Sequence, residues 1–398
     1  MGKDKDMERR EFFKSVVKYG GVGLAAMGLL SLHKPRKAGA IQDLDDMSSS
    51  ESWRIRDVYM DQADEFVSHA PNPPGHFSKE PEEFINDMKP VNWSHLHPNW
   101  YAGNNNKVLV SIIQTTPLDK DIKGDIKRAI GKLGGLERSL KKTDRILIKP
   151  NTNSGDRWPR GGTDYRFLDA LIQILHDEGY GNVTVGDSCG PWGPTERVMK
   201  MLRFDEVCAK NGVEYIDFDK SKWMQVTNAS AEYLGKIGGG DGTVGYPEPL
   251  RQFDKIIYTP VMKTHCTAGF TMGLKLSVGI LHREDRGNQL HAMNHIFNKQ
   301  SVAEINLPLK PDLVIMDGRR ALISGGPSHG EEVGCGFIVA SGCQVANDVT
   351  GVQILQQWYP SGTPNMITMY VWNNPQIMQA VKVGCGYARG PQDIARVL

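Results

Sequence analysis

Between Asp254 and Phe297 the chain reads DKIIYTPVMKTHCTAGFTMGLKLSVGILHREDRGNQLHAMNHIF, and four of its eleven histidines fall in this stretch. Lys263, Thr264, His265 and Cys266 set an amine, a hydroxyl, an imidazole and a thiol side by side, and Lys275 follows on a glycine-spaced segment. His282, Arg283 and Arg286 come next, then His291 and His295. Amines and guanidiniums hold carboxylates or phosphates, so the cluster reads as an anion site. A lysine kept in a low-dielectric place loses its proton more easily and can act as a base or a Schiff-base nucleophile. The plain alternative is a set of solvated surface lysines.

Two further chemistries compete for the same residues. His291 and His295, four apart, share a helix face and can chelate a metal, with His265 or His282 as a third ligand and Asp187 or Asp317 as a carboxylate. The Ala-Met-Asn between them is not the glutamate-bearing pattern of the zinc proteases. Cys189 and Cys266 both follow strands and can serve as thiolate ligands, a redox pair or a disulfide, and nearby cations would lower the Cys266 thiol pKa. A base for Cys266 would come from His282 or His291, because His265 is adjacent and points to the other face. Satisfied helix histidines and buried thiols are the plain counterparts.

The elements that must position these groups follow from local pattern. Apolar or β-branched runs at 108–113, 145–148, 183–185, 213–218, 255–259, 312–316 and 337–340 read as strands. Helices are expected over 118–140, 167–178, from a Thr195 cap to about 210, over 344–357, and in short closing pieces at 375–383 and 391–398. Residues 220–249 read as an excursion or hairpin, since no Gly-Lys-Ser/Thr close makes them a phosphate loop. Gly325-Gly326-Pro327-Ser328-His329-Gly330 is a tight turn that can lie over the site as a lid, although turn chemistry alone explains it.

Alternating strands and helices indicate an α/β fold, a mainly parallel sheet with helices on both faces. Ligands bind such sheets outside the carboxyl ends of the strands. That rule gathers Lys149 and Asn151, Asp187 and Ser188, Lys263, Thr264 and His265, then Asp317 and Arg319. The expected roles are acid–base work for Lys263, His265, Lys275 and Asp187. Ligand binding falls to Lys149, Asn151, Ser188, Thr264, His282, Arg283, Arg286 and Arg319, and metal binding to Cys189, Cys266, His291 and His295.

A net charge of +1 gives no case for nucleic-acid binding. The first 40 residues carry Arg9-Arg10, Phe12-Phe13-Lys14, a glycine-diluted apolar run, a basic Lys34-Pro35-Arg36-Lys37 and an Ala38-Gly39-Ala40 cleavage pattern. They resemble a twin-arginine export signal, which implies the twin-arginine translocation machinery as a partner and a periplasmic or otherwise exported product. The apolar run falls short of the roughly 20 residues that span a bilayer, so a cleaved signal is expected in place of an anchor. Residues 41–106 read as an irregular arm rich in Trp and Pro, with His95 and His97 in it, and 107–398 as the α/β domain. The six cysteines include no C-x-x-C, hence no zinc ribbon and no ferredoxin-type run. An oxidising compartment permits disulfides, but these spacings give no connectivity.

Ile148-Lys149-Pro150-Asn151, Gly186-Asp187-Ser188, Lys263-Thr264-His265, Gly273-Leu274-Lys275, Gly279, His282-Arg283, Asp317-Gly318 and Gly325-Gly326-Pro327 occur in that order. The series resembles the family filed as domain of unknown function 362, over about residues 108–357. The resemblance implies no reaction. Many members are labelled iron–sulfur proteins for an added ferredoxin-like module, which this sequence lacks. Three readings remain: an exported enzyme binding an anionic small molecule or cofactor; a redox protein of the cell envelope holding a metal ion or iron–sulfur cluster, with an envelope redox partner; and a non-catalytic envelope component docking through the Trp-rich arm.

Overall fold

The computed structural model describes residues 99–398 other than 117–118, 191–192, 237–239, 292–296, 359–366 and 368. Residues 1–40, where an export signal is expected, nearly all of the Trp- and Pro-rich segment and His295 lie outside the described residues. The chain runs through β1 (Val108–Gln114), α1 (Ile122–Leu133), β2 (Ile146–Pro150), α2 (Tyr165–Asp177) and β3 (Val183–Asp187). Then come α3 (Thr195–Met201), α4 (Phe204–Asn211), β4 (Glu214–Asp217), β5 (Trp223–Thr227) and β6 (Thr243–Pro247). The central stretch forms β7 (Lys255–Thr259), β8 (Val261–His265), β9 (Gly269–Thr271), α5 (Gly273–Leu276) and α6 (Arg283–Arg286). It leads into α7 (Asn298–Glu304), β10 (Leu313–Leu322), β11 (Glu332–Val333), β12 (Phe337–Ser341), α8 (Gln344–Gln356), α9 (Pro375–Lys382) and β13 (Ile394–Val397).

The main path of the sheet is β13-β1-β12-β10-β7-β2-β3-β4, while β5 and β6 form a separate antiparallel pair. From β10 through β7, β2 and β3 to β4 every pairing is parallel, and β12 runs antiparallel to both its neighbours. Alternation along the strands covers both faces. In β2, Ile146 and Ile148 join the core under α1 and α2, while Leu147 joins a second core with Phe218, Trp223 and Tyr246. In β10, Leu313 and Ile315 take the first side and Val314 the second. The fold is α/β with a mainly parallel sheet.

Several boundaries differ from the sequence pattern for local reasons. The helix expected over 118–140 shrinks to α1, because Asp121 caps its start and Gly134, at φ 98°, ends it. The single helix expected from Thr195 is two, split where Arg203 adopts φ 63°. The closing piece 391–398 is not a helix: a short 3₁₀ turn leads into β13, which pairs parallel with β1 and covers that edge.

The largest correction concerns the site itself. Pro260 interrupts the strand without ending it. The chain resumes at once as β8, and the ten-residue β10 runs past the break, pairing with β7 through Leu313 and Val314 and with β8 through Asp317 and Leu322. Lys263, Thr264 and His265 therefore sit on a strand, and Asp317 and Arg319 lie within β10 instead of beyond its end.

Candidate functional site

At the carboxyl ends of β2 and β3, Lys149 and Asp187 form a buried ion pair at 2.7 Å. The same carboxylate accepts from Thr152 N at 3.0 Å and Ser188 N at 2.8 Å. Burial, partly offset by Asp187, lowers the Lys149 pKa. Gly279 closes the cluster: a Cβ there would lie 2.0 Å from the Asp187 Oδ1 and 2.7 Å from the Lys149 Nζ. Arg286 donates to Ser188 Oγ, to Cys189 O at 2.7 Å and to Gly279 O at 3.2 Å, pinning the loop after β3. Gly279→Ala is expected to cost about 1–3 kcal/mol through overpacking. Urea denaturation measures it, and an unaltered midpoint would show that the ion pair yields space freely.

The second cluster lies along β8 and β9. Lys263 pairs across the ladder with Thr271 and His265 with Gly269, so Lys263, His265 and Thr271 share one face. The Lys263 amine is wholly buried and donates to Arg160 O at 2.7 Å. Burial first, and the charge of Lys275 second, push its pKa down to about 7. Lys275 is half-buried, and its amine has no hydrogen bond or ion pair among the described residues. Burial brings it down to about 8, with Arg286 adding to the fall. Lys299 on α7 is also lowered by burial, and it lies close enough to Cys266 for the two to interact electrostatically. No residue of the sequence pattern pointed to Lys299. The Thr271 hydroxyl, 5% exposed, has no hydrogen-bond partner among the described residues, and the Thr264 hydroxyl and Asn151 amide nitrogen are in the same position.

His265 accepts at Nδ1 from Thr267 N and Ala268 N, both at 3.2 Å, so the neutral ring carries its proton on Nε2. Nδ1 is thus occupied by two amides and is no base for Cys266, whose sulfur lies 4.0 Å from it. The Cys266 thiol pKa is raised, not lowered: burial outweighs Lys275 and Lys299. The Gly325–Gly330 turn lies against this strand. Gly326, at φ 82°, approaches so closely that a Cβ would fall 1.9 Å from Thr264 O, and Asn153 Nδ2 donates to Ser328 Oγ at 3.0 Å.

Other expected site residues are placed elsewhere. Arg319 is bound to Asp317 at 2.7 Å and Asp164 at 2.8 Å and stacks on Trp158, with ring centroid 4.6 Å away, so its charge is spent on the fold. Arg283 is paired with Asp219 and also donates to Cys189 Sγ at 3.2 Å. His282 packs edge-on against Trp223, with centroids 4.7 Å apart. Burial raises the Cys189 thiol against the pull of Arg283, and Cys189 and Cys266 are both free thiols with separate contacts. His291 ends a π-helical turn, Gly287–His291, and the helix face it was expected to share with His295 falls outside the described residues. Among the described residues no three His, Cys, Asp or Glu side chains form a metal-holding group, and the six cysteines do not fit an iron–sulfur cluster.

Long-range polar contacts absent from the sequence pattern fix the segment bearing Lys275. Asp348 accepts from Gly273 N at 2.7 Å and Leu274 N at 2.8 Å, Gln344 donates to Gly273 O at 3.1 Å, and Asn306 donates to Leu274 O at 3.0 Å. A cleft of about 480 Å³ lies at the opposite, amino edge of the sheet, lined by Thr143, Asn182, Glu214 and Phe253. It holds none of the buried amines.

The family described as domain of unknown function (DUF362) matches residues 146–353, which include both clusters. A thylakoid-associated protein of Synechocystis sp. is 25% identical over 226 residues, covering 56% of this chain and 67% of that protein. The solved lactate racemase apoprotein of Thermoanaerobacterium thermosaccharolyticum is 12% identical, with TM-score 0.38, covering 66% of this chain and 59% of that one. A Thermotoga maritima protein is 15% identical with TM-score 0.32, covering half of each chain. The chain thus spans less than two thirds of either solved structure.

Proposed function

The chain belongs to the family of domain of unknown function 362, a name that carries no reaction, and we propose from its own residues that it is an exported enzyme binding an anionic small molecule or cofactor at the carboxyl edge of the sheet. The observation that supports this most is the gathering of Lys263, Lys275 and Lys299 with no carboxylate ion-paired to any of them among the described residues. Buried cations are ordinarily paired within the protein. Here an anionic ligand supplies the missing partner, and the unpartnered Thr271 hydroxyl, on the same face as Lys263, supplies a further hydrogen bond.

Amines at about 7 and about 8 are partly neutral near neutral pH, so an anion that needs them charged draws in protons as it binds. Affinity falls as pH rises through those values, roughly tenfold per pH unit for each amine that loses its proton. Titration calorimetry with inorganic phosphate and with pyruvate, in buffers of differing ionisation enthalpy, is expected to show proton uptake. Binding that ignores both pH and the Lys263→Met and Lys275→Met substitutions would overturn the proposal.

Export rests on Arg9-Arg10, the diluted apolar run and Ala38-Gly39-Ala40. An Arg9→Lys/Arg10→Lys variant is expected to accumulate as precursor in the cytoplasmic fraction, and unchanged export would exclude the twin-arginine route.

A further inference from the structure

The three amines of the anion site are not equivalent. Lys263 is closed off from solvent and oriented by the Arg160 carbonyl. Lys275 is partly exposed, makes no hydrogen bond or ion pair among the described residues, and follows two residues whose backbone is held by buried side chains. Asp348, Gln344 and Asn306, none more than 2% exposed, spend their hydrogen-bonding groups on the backbone of Gly273 and Leu274. Asn306 Oδ1 in turn accepts from Ser277 Oγ at 2.5 Å and Gln344 Nε2 at 2.7 Å, which fixes the residues on the far side of Lys275. Burying three polar side chains around a single helical turn costs desolvation, and an apolar contact would hold such a turn more cheaply. What the network adds is position. A rigidly based, uncommitted amine among other cations has the arrangement of a lysine nucleophile.

Resting on the anion-site reading above, we infer that Lys275 forms an imine with a 2-oxo acid whose carboxylate is held by the neighbouring Lys299 and Lys263 ammonium groups and the Thr271 hydroxyl. A 2-oxo acid carries its anionic group on the carbon next to the electrophile, so the cations that hold the carboxylate must lie near the nucleophile; here the charge of Lys275 acts on Lys263, and Lys275 and Lys299 both act on Cys266. The Lys275 nitrogen lone pair forms the new N–C bond while the carbonyl π pair moves to oxygen, which takes up a proton. The nitrogen gives up a proton, the hydroxyl leaves as water on protonation by the Lys299 ammonium, and the nitrogen lone pair closes the C=N bond. The net change is amine plus carbonyl plus the Lys299 proton to protonated imine plus water, leaving the Lys299 amine neutral, with no oxidant or reductant. The protonated imine then withdraws electrons from the adjacent carbon.

Pyruvate and glyoxylate are suitable probes, with sodium borohydride to reduce any imine and peptide mass mapping to locate it. The expected result on the unsubstituted protein is one reduced adduct on the Lys275 peptide, formed in preference to exposed lysines such as Lys200 and suppressed by excess phosphate. Lys275→Arg, which keeps the charge, is expected to lose the adduct. Adducts spread over surface lysines, or sited on Lys299 alone, would overturn the inference. Pyruvate binding without any trapped adduct would also sink the imine while leaving the anion site standing. Absence of both phosphate and pyruvate binding would remove the two together.

Discussion

Lys149→Met is expected to lower the unfolding free energy by about 3–5 kcal/mol, because it strands a buried carboxylate. Asp187 would keep only the amides of Thr152 and Ser188, and Gly279, packed against the pair, has no side chain to take the place of the ammonium. Urea denaturation measures the loss. The companion variant Lys149→Met/Asp187→Asn removes both charges and is expected to recover much of it, since the penalty belongs to the unpaired partner and not to the missing contact. A Lys149→Met protein with the parent midpoint would show that Asp187 takes up a proton or finds water at little cost.

The opposite sign is expected at Lys263, an equally buried lysine with no carboxylate ion-paired to it among the described residues. Its pKa is about 7 in the fold against 10.5 for the free side chain. Between those values the unfolded chain holds a proton that the folded chain has released, so stability rises with pH across this window. Below about 7 both states are charged and the full penalty applies, about 5 kcal/mol by linkage. Lys263→Met should therefore stabilise the protein by up to roughly that amount at neutral pH and flatten the rise. The same change should abolish phosphate binding. Thermal unfolding from pH 6 to pH 10 tests both limbs, and a variant less stable than the parent at every pH would contradict the assignment.

These two lysines also show how far the amino-acid pattern reaches. Lys149 and Asp187 were legible because each ends a short apolar strand, and parallel strands deliver such ends to one edge. The hairpin of β5 and β6 was legible as an excursion between strands. Lys263 was singled out for a reason that does not hold: Pro260 looks like a strand end, and only the length of β10, far along the chain, shows that pairing continues. Arg319 could not be told from a ligand-binding arginine, because its partner Asp164 is 155 residues away and also serves α2 as a cap. Lys299, Thr271 and Asp348 carried no local signal. A buried polar residue inside an apolar helix, such as Asp348 in α8, reads as an exposed position until its two amide partners are known.

The break at Pro260 has a kinetic meaning as well. β7 is flanked by β2 over five register pairs and by β10 over two, deep within the sheet. β8 is held on one side by an irregular pairing with β10 and on the other by three-residue β9. Adjacent strands in sequence thus belong to regions of unequal local stability. Amides of β7 should exchange with solvent deuterium only when the whole domain opens, while those of β8 and β9 exchange through a smaller opening that leaves the sheet intact. The lysine strand is then the place where a ligand adds most protection, and slowed exchange confined to β8, β9 and α5 would be its footprint.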